Sequence, residues 1–472
     1  MEIELCASFV AILLTTMLFL KTISTRCSRR KYNLPPGPKP WPIIGNLNLI
    51  GALPHRSIHE LSRRYGPLVY LRFGSFPVVV GSSVEMARFF LKTRDAAFID
   101  RPRTAAGKHT AYNYRDITWS PCEAYWRQAR RVVLTELFSA RRIESYEHIR
   151  REEVHALLRD LHYASSASAS SGGRRAIVIK DYLSTASLNM ITRMVMGKRY
   201  VQGEVVHEEP GSARTTLAQF KELLEELFFL NGVFNVGDQI PWLEWLDLQG
   251  YVKRMKKVSK ALDHLLEHVV DEHSERRQRE GNGFVARDMV DVLLRLADDS
   301  SLEVKLSRDS IKAFTQDHIA GSTESSSETI EWAISELLRK PEMFTKATEE
   351  LDRIVGHRRW VNEKDTLDLP YIEAIEFVPE RFLGKKIDVK GQDFELLPFG
   401  SGRWMCPGYN LGLKVIQLSI ANLLHGFTWR LPKDMVKEDL SMEEIFGLSM
   451  PRKFPLEVAV EPKLSSHLYK GD

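Results

Sequence analysis

Phe399-Gly400-Ser401-Gly402-Arg403-Trp404-Met405-Cys406-Pro407-Gly408 decides how the rest of this chain is read. Glycines at 400, 402 and 408 let the backbone turn tightly around the sulfur of Cys406 and bring N–H groups up to it. An amphipathic helical pattern follows directly, and a helix N-terminus favours negative charge at that point. A thiolate held on such a loop suits axial ligation of a haem iron. The plainer alternative is a small buried apolar residue, the usual fate of a free cysteine.

The loop resembles the signature of the haem-thiolate monooxygenases, the cytochrome P-450 family: Phe, two residues, Gly, one residue, a basic residue, one residue, Cys, one residue, Gly. Phe399, Gly402, Cys406 and Gly408 match it. The basic position holds Trp404, where the family places a partner for a haem propionate, and Arg403 stands one place early. The resemblance implies that Cys406 ligates the iron of haem b, that Phe399 shields the sulfur, and that Gly402 and Gly408 shape the loop against the cofactor.

At 472 residues and 43% hydrophobic, the chain is long enough to bury a large core. A formal charge of +4 is small for that length, and no long basic run interleaved with aromatics occurs, which argues against a nucleic-acid partner. Cys6, Cys27, Cys122 and Cys406 show no paired spacing, which argues against a disulfide framework or a zinc site and fits a reducing compartment.

Residues 5–20 carry no charge and are followed by Lys21, Arg26, Arg29, Arg30 and Lys31. This reads as a single N-terminal transmembrane anchor over 1–21, with the basic side and everything after it in the cytosol. A cleaved signal peptide fits less well, since Glu2 and Glu4 lead the segment and no small-residue cleavage pattern follows. Leu34-Pro35-Pro36-Gly37-Pro38-Lys39-Pro40-Trp41-Pro42 then predicts a stiff extended hinge, so that 22–46 links the anchor to a globular domain over 47–472. Anchor, basic stop and proline-rich hinge together resemble the microsomal members of the family, which implies the endoplasmic reticulum membrane.

Leu68-Val69-Tyr70-Leu71-Arg72-Phe73 and Pro77-Val78-Val79-Val80, parted by Gly74-Ser75-Phe76, predict a hairpin. Ser82 and Glu85 predict a capping box for a helix through Phe90. Residues 164–175, rich in Ser, Ala and Gly, predict a flexible loop. Helical periodicity over 217–229 and 252–277 makes the middle of the chain a helix bundle. The expected fold is mainly α with a small β region, the cytochrome P-450 fold by resemblance.

Trp126 and Arg130 lie four apart on one predicted helix face, within Trp126-Arg127-Gln128-Ala129-Arg130-Arg131. They resemble the family's Trp-x-x-x-Arg pattern, which implies that they hold a haem propionate. A long helix over about 310–340, stopped by Pro341, contains Ala320-Gly321-Ser322-Thr323-Glu324-Ser325-Ser326. Its small and hydroxyl residues are expected to loosen the helical ladder and admit water. Here Glu324 and Ser325 resemble the family's acid-alcohol pair, implying proton delivery into the haem pocket, and Ser322 replaces a customary glycine. A polar kink on a surface helix is the competing reading.

Phe377-Val378-Pro379-Glu380-Arg381-Phe382 resembles a further family element, whose arginine completes a buried cluster with a Glu-x-x-Arg pair from the preceding helix. Asp368-Leu369-Pro370-Tyr371-Ile372-Glu373-Ala374-Ile375 resembles the start of that helix, yet the chain passes straight on to Glu376-Phe377. An internal deletion near 375–376 is the expectation. Glu336 with Arg339 and Glu350 with Arg353 match Glu-x-x-Arg in the wrong context. The resemblance implies insertion of one oxygen atom from O2 into a small lipophilic substrate, phenolic, flavonoid or terpenoid, with electrons from NADPH-cytochrome P-450 reductase. Its phrasing is closest to plant members such as the flavonoid 3'-hydroxylases. A membrane-tethered protein that no longer holds haem is the rival reading that the deletion raises.

Overall fold

The computed structural model describes residues 15–16, 33–170, 176–199, 217–375, 389–432 and 435–470. The expected anchor, apart from Thr15 and Thr16, and the element at 377–382 lie outside the described residues. None of the described helices is long and apolar enough to cross a membrane. The chain forms two compact units, Met1–Phe98 with Asn235–Gln249, and Ile99–Phe234 with Gly250–Asp472.

In the first unit the expected hairpin is present. β1 (Leu68–Phe73) pairs antiparallel with β2 (Phe76–Gly81), with Leu68 opposite Gly81 and Phe73 opposite Phe76. Alternate residues Val69, Leu71 and Phe73 are buried, as the period of a strand requires. Gly74 turns the chain at φ +56°, and a side chain there would start 2.2 Å from the Gln239 carbonyl oxygen.

The proline-rich segment corrects its sequence reading. From residue 33 onward it is no free hinge, for the Tyr70 N–H donates to the Pro36 carbonyl at 2.8 Å and the Asn46 N–H to the Arg72 carbonyl at 2.6 Å. Proline cannot donate to a ladder but its carbonyl still accepts, so the segment can lie along the free side of β1. Only Gly at 37 allows that approach, since a Cβ would meet the Tyr70 oxygen at 1.9 Å. The helix cap is also displaced by one residue: Ser83, not Ser82, accepts from the Met86 N–H at 3.3 Å, while the Ser82 hydroxyl bonds that of Ser62 at 2.7 Å.

Helices Ala124–Val132, Glu147–Ser170, Ile179–Met196, Leu217–Gly232, Tyr251–Glu280, Arg308–Arg339 and Tyr409–Gly426 dominate the second unit and share one apolar core. Beside them β3 (Ile177–Val178), β4 (Phe427–Arg430) and β5 (Glu457–Pro462) form a sheet in the order β3-β5-β4. The expected loop at 164–175 is helical as far as Ser170, and the hydroxyls of Ser165 and Ser166 turn back to the His162 carbonyl at 2.8 and 2.9 Å.

Arg308–Arg339 begins at an N-cap, Ser307, whose hydroxyl accepts from the Ser310 N–H at 3.2 Å, and ends before Pro341, the first residue of the next helix. It packs against Ile179–Met196, Tyr251–Glu280 and Tyr409–Gly426. The expected loosening of its ladder is not seen. The helix is continuous through 320–327, where Thr323, Ser325 and Ser327 donate to the carbonyls of Ile319, Gly321 and Thr323 at 2.7, 2.7 and 3.1 Å.

One buried ion pair fixes the helix that leaves the Cys406 loop. Arg150 is fully buried, donates from Nη1 to the Ile143 carbonyl at 2.8 Å and from Nη2 to Glu363 at 2.9 Å, and its Nε also reaches Glu363. Lys414, on Tyr409–Gly426, adds a third contact to Glu363 at 3.1 Å. Replacing Arg150 with Met strands the Glu363 carboxylate and should cost roughly 3–5 kcal/mol. The urea unfolding midpoint is expected to fall in Arg150→Met and to recover largely in Arg150→Met with Glu363→Met; equal loss in both variants would contradict this assignment.

Candidate active site

The loop that carries Cys406 is closed by its own backbone. The Cys406 N–H donates to the Phe399 carbonyl at 2.8 Å and the Met405 N–H to the Gly402 carbonyl at 3.2 Å. Gly400 and Gly402 sit at φ +71° and +65°, where an L side chain costs about 1–2 kcal/mol. Ser401 anchors the loop from outside, donating to the Gly391 carbonyl at 2.6 Å. Gly408 caps Tyr409–Gly426. Burial pushes the Cys406 thiol above its ordinary range, opposed by the Gly408 N–H and the Arg130 charge and reinforced by Asp317. A cation bound at the sulfur reverses that balance, because a coordinating thiol is deprotonated outright.

Cys406 is exposed to a cavity rather than to the outside of the fold. The cavity is partly open to solvent, and most of its wall is apolar. Phe138, Met190, Met194 and Leu411 supply apolar wall, and His318, Ser322 and Ser325 face in from Arg308–Arg339. An apolar wall with one thiol in it suits haem ligated by sulfur. Phe399 and Gly408 line the chamber; Gly402 does not, and shapes the loop through its left-handed backbone conformation.

The residues expected to hold a propionate are arranged differently from the sequence reading. Trp126 and Arg130 do share one helix face, with the guanidinium carbon 5.7 Å from the indole centroid. Neither lines the chamber. The Trp126 indole N–H donates to the Ile117 carbonyl at 3.2 Å, and Arg130 donates from Nη2 to the Met405 carbonyl at 2.8 Å, so both brace the Cys406 loop and its surroundings. Trp404 packs on Trp126 with ring centroids 4.4 Å apart, and Arg101 stands over Trp404 at 3.9 Å. A positive charge thus reaches the odd position of the motif from elsewhere in the chain, which no local signal in the sequence announces.

The acid-alcohol pair is split between two faces of its helix. Ser325 lines the chamber, whereas Glu324 does not, since successive helical residues point about 100° apart. Glu324 is buried on the far side, its carboxyl raised by burial, with Lys180 and Lys221 opposing and Glu225 and Glu331 reinforcing. Ser322, which the sequence reading singled out, also lines the chamber, and reading on from it at helical spacing would have found His318, which that reading missed. Of the two stray Glu-x-x-Arg matches, Glu336 and Arg339 stand 3.9 Å apart, and Glu350 accepts the N–H groups of Tyr371 and Ile372 at 3.0 and 3.1 Å.

Glu328 and Glu331 continue the acidic face. Glu331 accepts the Leu456 N–H at 2.7 Å, and Ser449 donates to Glu328 at 3.1 Å, tying the C-terminal stretch to the helix. Burial pushes the Glu328 carboxyl up to about 7. The folded protein therefore keeps a proton there that the unfolded chain has lost, and stability falls as pH rises from the ordinary carboxylate range through about 7. Thermal midpoints of the wild type are expected to drop between about pH 5 and about pH 7, and those of Glu328→Gln to drop less; parallel curves would refute the assignment.

Comparison with known proteins agrees with this geometry. The cytochrome P450 family model matches residues 35–376 and 373–456. Trimethyltridecatetraene synthase of Zea mays is 42% identical over 536 aligned positions, covering 98% of this chain and 94% of the relative. Dimethylnonatriene synthase of Zea mays is also 42% identical, covering 98% of each chain, and flavonoid 3'-monooxygenase of Petunia hybrida is 35% identical, covering 98% of this chain and 99% of the relative. The thiol in its apolar chamber and these matches lead to one conclusion: the chain belongs to the cytochrome P450 family, as a haem-thiolate monooxygenase similar to plant members.

Proposed function

We propose that this protein inserts one atom of O2 into a phenolic, flavonoid or terpenoid substrate, using electrons from NADPH delivered by NADPH-cytochrome P-450 reductase. The observation that carries the reading is the Cys406 sulfur opening into an apolar chamber on a loop held shut by Phe399, Gly402 and Arg130. Haem b bound at Cys406 supplies the redox chemistry that activates O2. The protein's own residues do the rest. Ser325 presents a hydroxyl to the chamber and Glu324 gathers protons on the side of Lys180 and Lys221, one residue away. Phe138, Met190, Met194 and Leu411 keep the chamber apolar, which excludes water and favours lipophilic substrates. Arg127 and Arg131 are exposed on Ala124–Val132 and form a basic face for an acidic reductase.

The substrate class follows the names of the relatives, one a flavonoid monooxygenase and two synthases of unsaturated hydrocarbons. The uncharged stretch 5–20 with its basic flank supports a single-pass anchor in the endoplasmic reticulum membrane, with the catalytic domain in the cytosol. A second reading, a tethered isoform that does not retain haem, is favoured by a separate observation. The alignment with trimethyltridecatetraene synthase runs to 536 positions against 472 residues here, so at least 64 positions of it have no counterpart in this chain. The two stretches matched by the family model meet at 373–376, where the sequence reading places the deletion.

Microsomes containing the protein and a plant reductase, given NADPH, isotopically heavy O2 and either a flavanone or an acyclic terpenoid, test the first reading. A product carrying one heavy oxygen atom, or a cleaved product whose formation consumes O2, is expected, with Ser325→Ala about 100-fold slower. Haem-loaded protein that consumes neither NADPH nor O2 with any substrate would overturn it.

A further inference from the structure

We infer that the first turns of Tyr251–Glu280 form a docking stripe for anionic phospholipid headgroups, made of Lys253, Lys256, Lys257 and Lys260. The inference is independent of the haem reading, and it rests on the anchored reading above only for bringing this helix near a bilayer.

All four lysines are exposed, and so is His264 one turn on. Successive helical residues turn about 100°, so the five side chains fall within an arc of about 100°, opposite the buried Met255, Val258 and Leu262. The stripe runs about 16 Å along the helix. Arg254, off this arc, pairs with Glu226 at 2.6 Å. The acids further along the same helix are taken by other cations, Asp263 and Glu267 by Lys312, Glu267 and Asp271 by Arg308. Lys256, Lys257 and Lys260 are left without an ion pair among the described residues.

Helix stability argues against this placement. Cations in the first turns oppose the positive end of the helix dipole. Lys253 with Lys257 and Lys256 with Lys260 are like charges at i,i+4, which repel. A stripe that costs the helix stability and has no internal partner is explained by something outside the chain, and its charge requires that partner to be anionic. Clusters of this size on an amphipathic helix are the electrostatic footprint of acidic lipid.

The choice of residue favours lipid over an acidic protein. Protein interfaces are enriched in Arg and depleted in Lys, because the guanidinium fork holds a carboxylate in a fixed geometry. Four ammonium groups on flexible stems suit mobile headgroups, which set no geometry. The basic face given above to a reductase is also on another helix, and there it is built of Arg127 and Arg131.

Lysine acylation rates, read residue by residue by mass spectrometry on the full chain in lipid nanodiscs, test the proposal. In discs of equal parts phosphatidylcholine and phosphatidylserine, Lys256, Lys257 and Lys260 are expected to react about fivefold more slowly than in phosphatidylcholine alone. Exposed Lys346 and Lys437 serve as controls and should keep their rates. High salt should remove the difference. Replacing the three lysines together by Gln should free Lys253 in the mixed discs. Equal rates in both lipids, or equal slowing of Lys346 and Lys437, would overturn the inference. Protection that appears in phosphatidylcholine discs only when a reductase is added would overturn it too, in favour of an acidic protein. Protein that does not enter discs removes the anchored reading instead; sedimentation of that protein with phosphatidylserine vesicles but not phosphatidylcholine vesicles would still uphold the stripe, and sedimentation with neither would sink it.

Discussion

A thiol buried in an apolar wall is a liability unless something takes the charge of its ionised form, and the surroundings of Cys406 are built around that constraint. Burial alone raises the thiol, while the Gly408 N–H and the Arg130 guanidinium work against it. Arg130 acts twice, since it also holds the Met405 carbonyl and so fixes the backbone on the residue before the sulfur. The left-handed Gly400 and Gly402 allow the Cys406 N–H to reach the Phe399 carbonyl. Shape and charge at the sulfur are therefore set by the same few contacts, while the buried Arg150 with Glu363 and Lys414 holds the helix that follows the loop.

Arg308–Arg339 supplies the facing chemistry by dividing its two sides. His318, Ser322 and Ser325 look into the chamber, whereas Glu324, Glu328 and Glu331 lie on the other face, two of them tied to Ser449 and Leu456. Serines inside a helix often bend it. Here their hydroxyls return to carbonyls of the preceding turn while the helix stays continuous, and Ser322 and Ser325 leave a narrow polar stripe in an apolar chamber. A buried carboxyl, Glu324, and a hydroxyl presented to the chamber, Ser325, thus lie on adjacent residues but different faces.

Much of this was legible in the chain itself. The loop around Cys406, the helix ending at Pro341 and the hairpin of β1 and β2 are all written in local signals: glycine placement, proline punctuation and strand alternation. What stayed hidden depends on contacts far apart in sequence. The proline segment reads as a linker because proline lacks a donor, yet its carbonyls dock on β1. Trp404 reads as the loss of a basic group, yet Arg101 stands over its ring. Residues 164–170 read as loop from composition, yet they continue the helix that begins at Glu147. Glu324 and Ser325 read as a pair because they are adjacent, and adjacency on a helix separates their faces.

The central claim is that the Cys406 chamber assembles and holds haem through the thiolate although the chain is shorter than its relatives. The carbon monoxide difference spectrum of the dithionite-reduced protein, recorded beside Cys406→Ala at matched protein levels, tests it most directly. The expected result is a thiolate-type Soret band in the wild type that disappears in Cys406→Ala. Absence of that band from intact wild-type protein, or its persistence in Cys406→Ala, would contradict the claim.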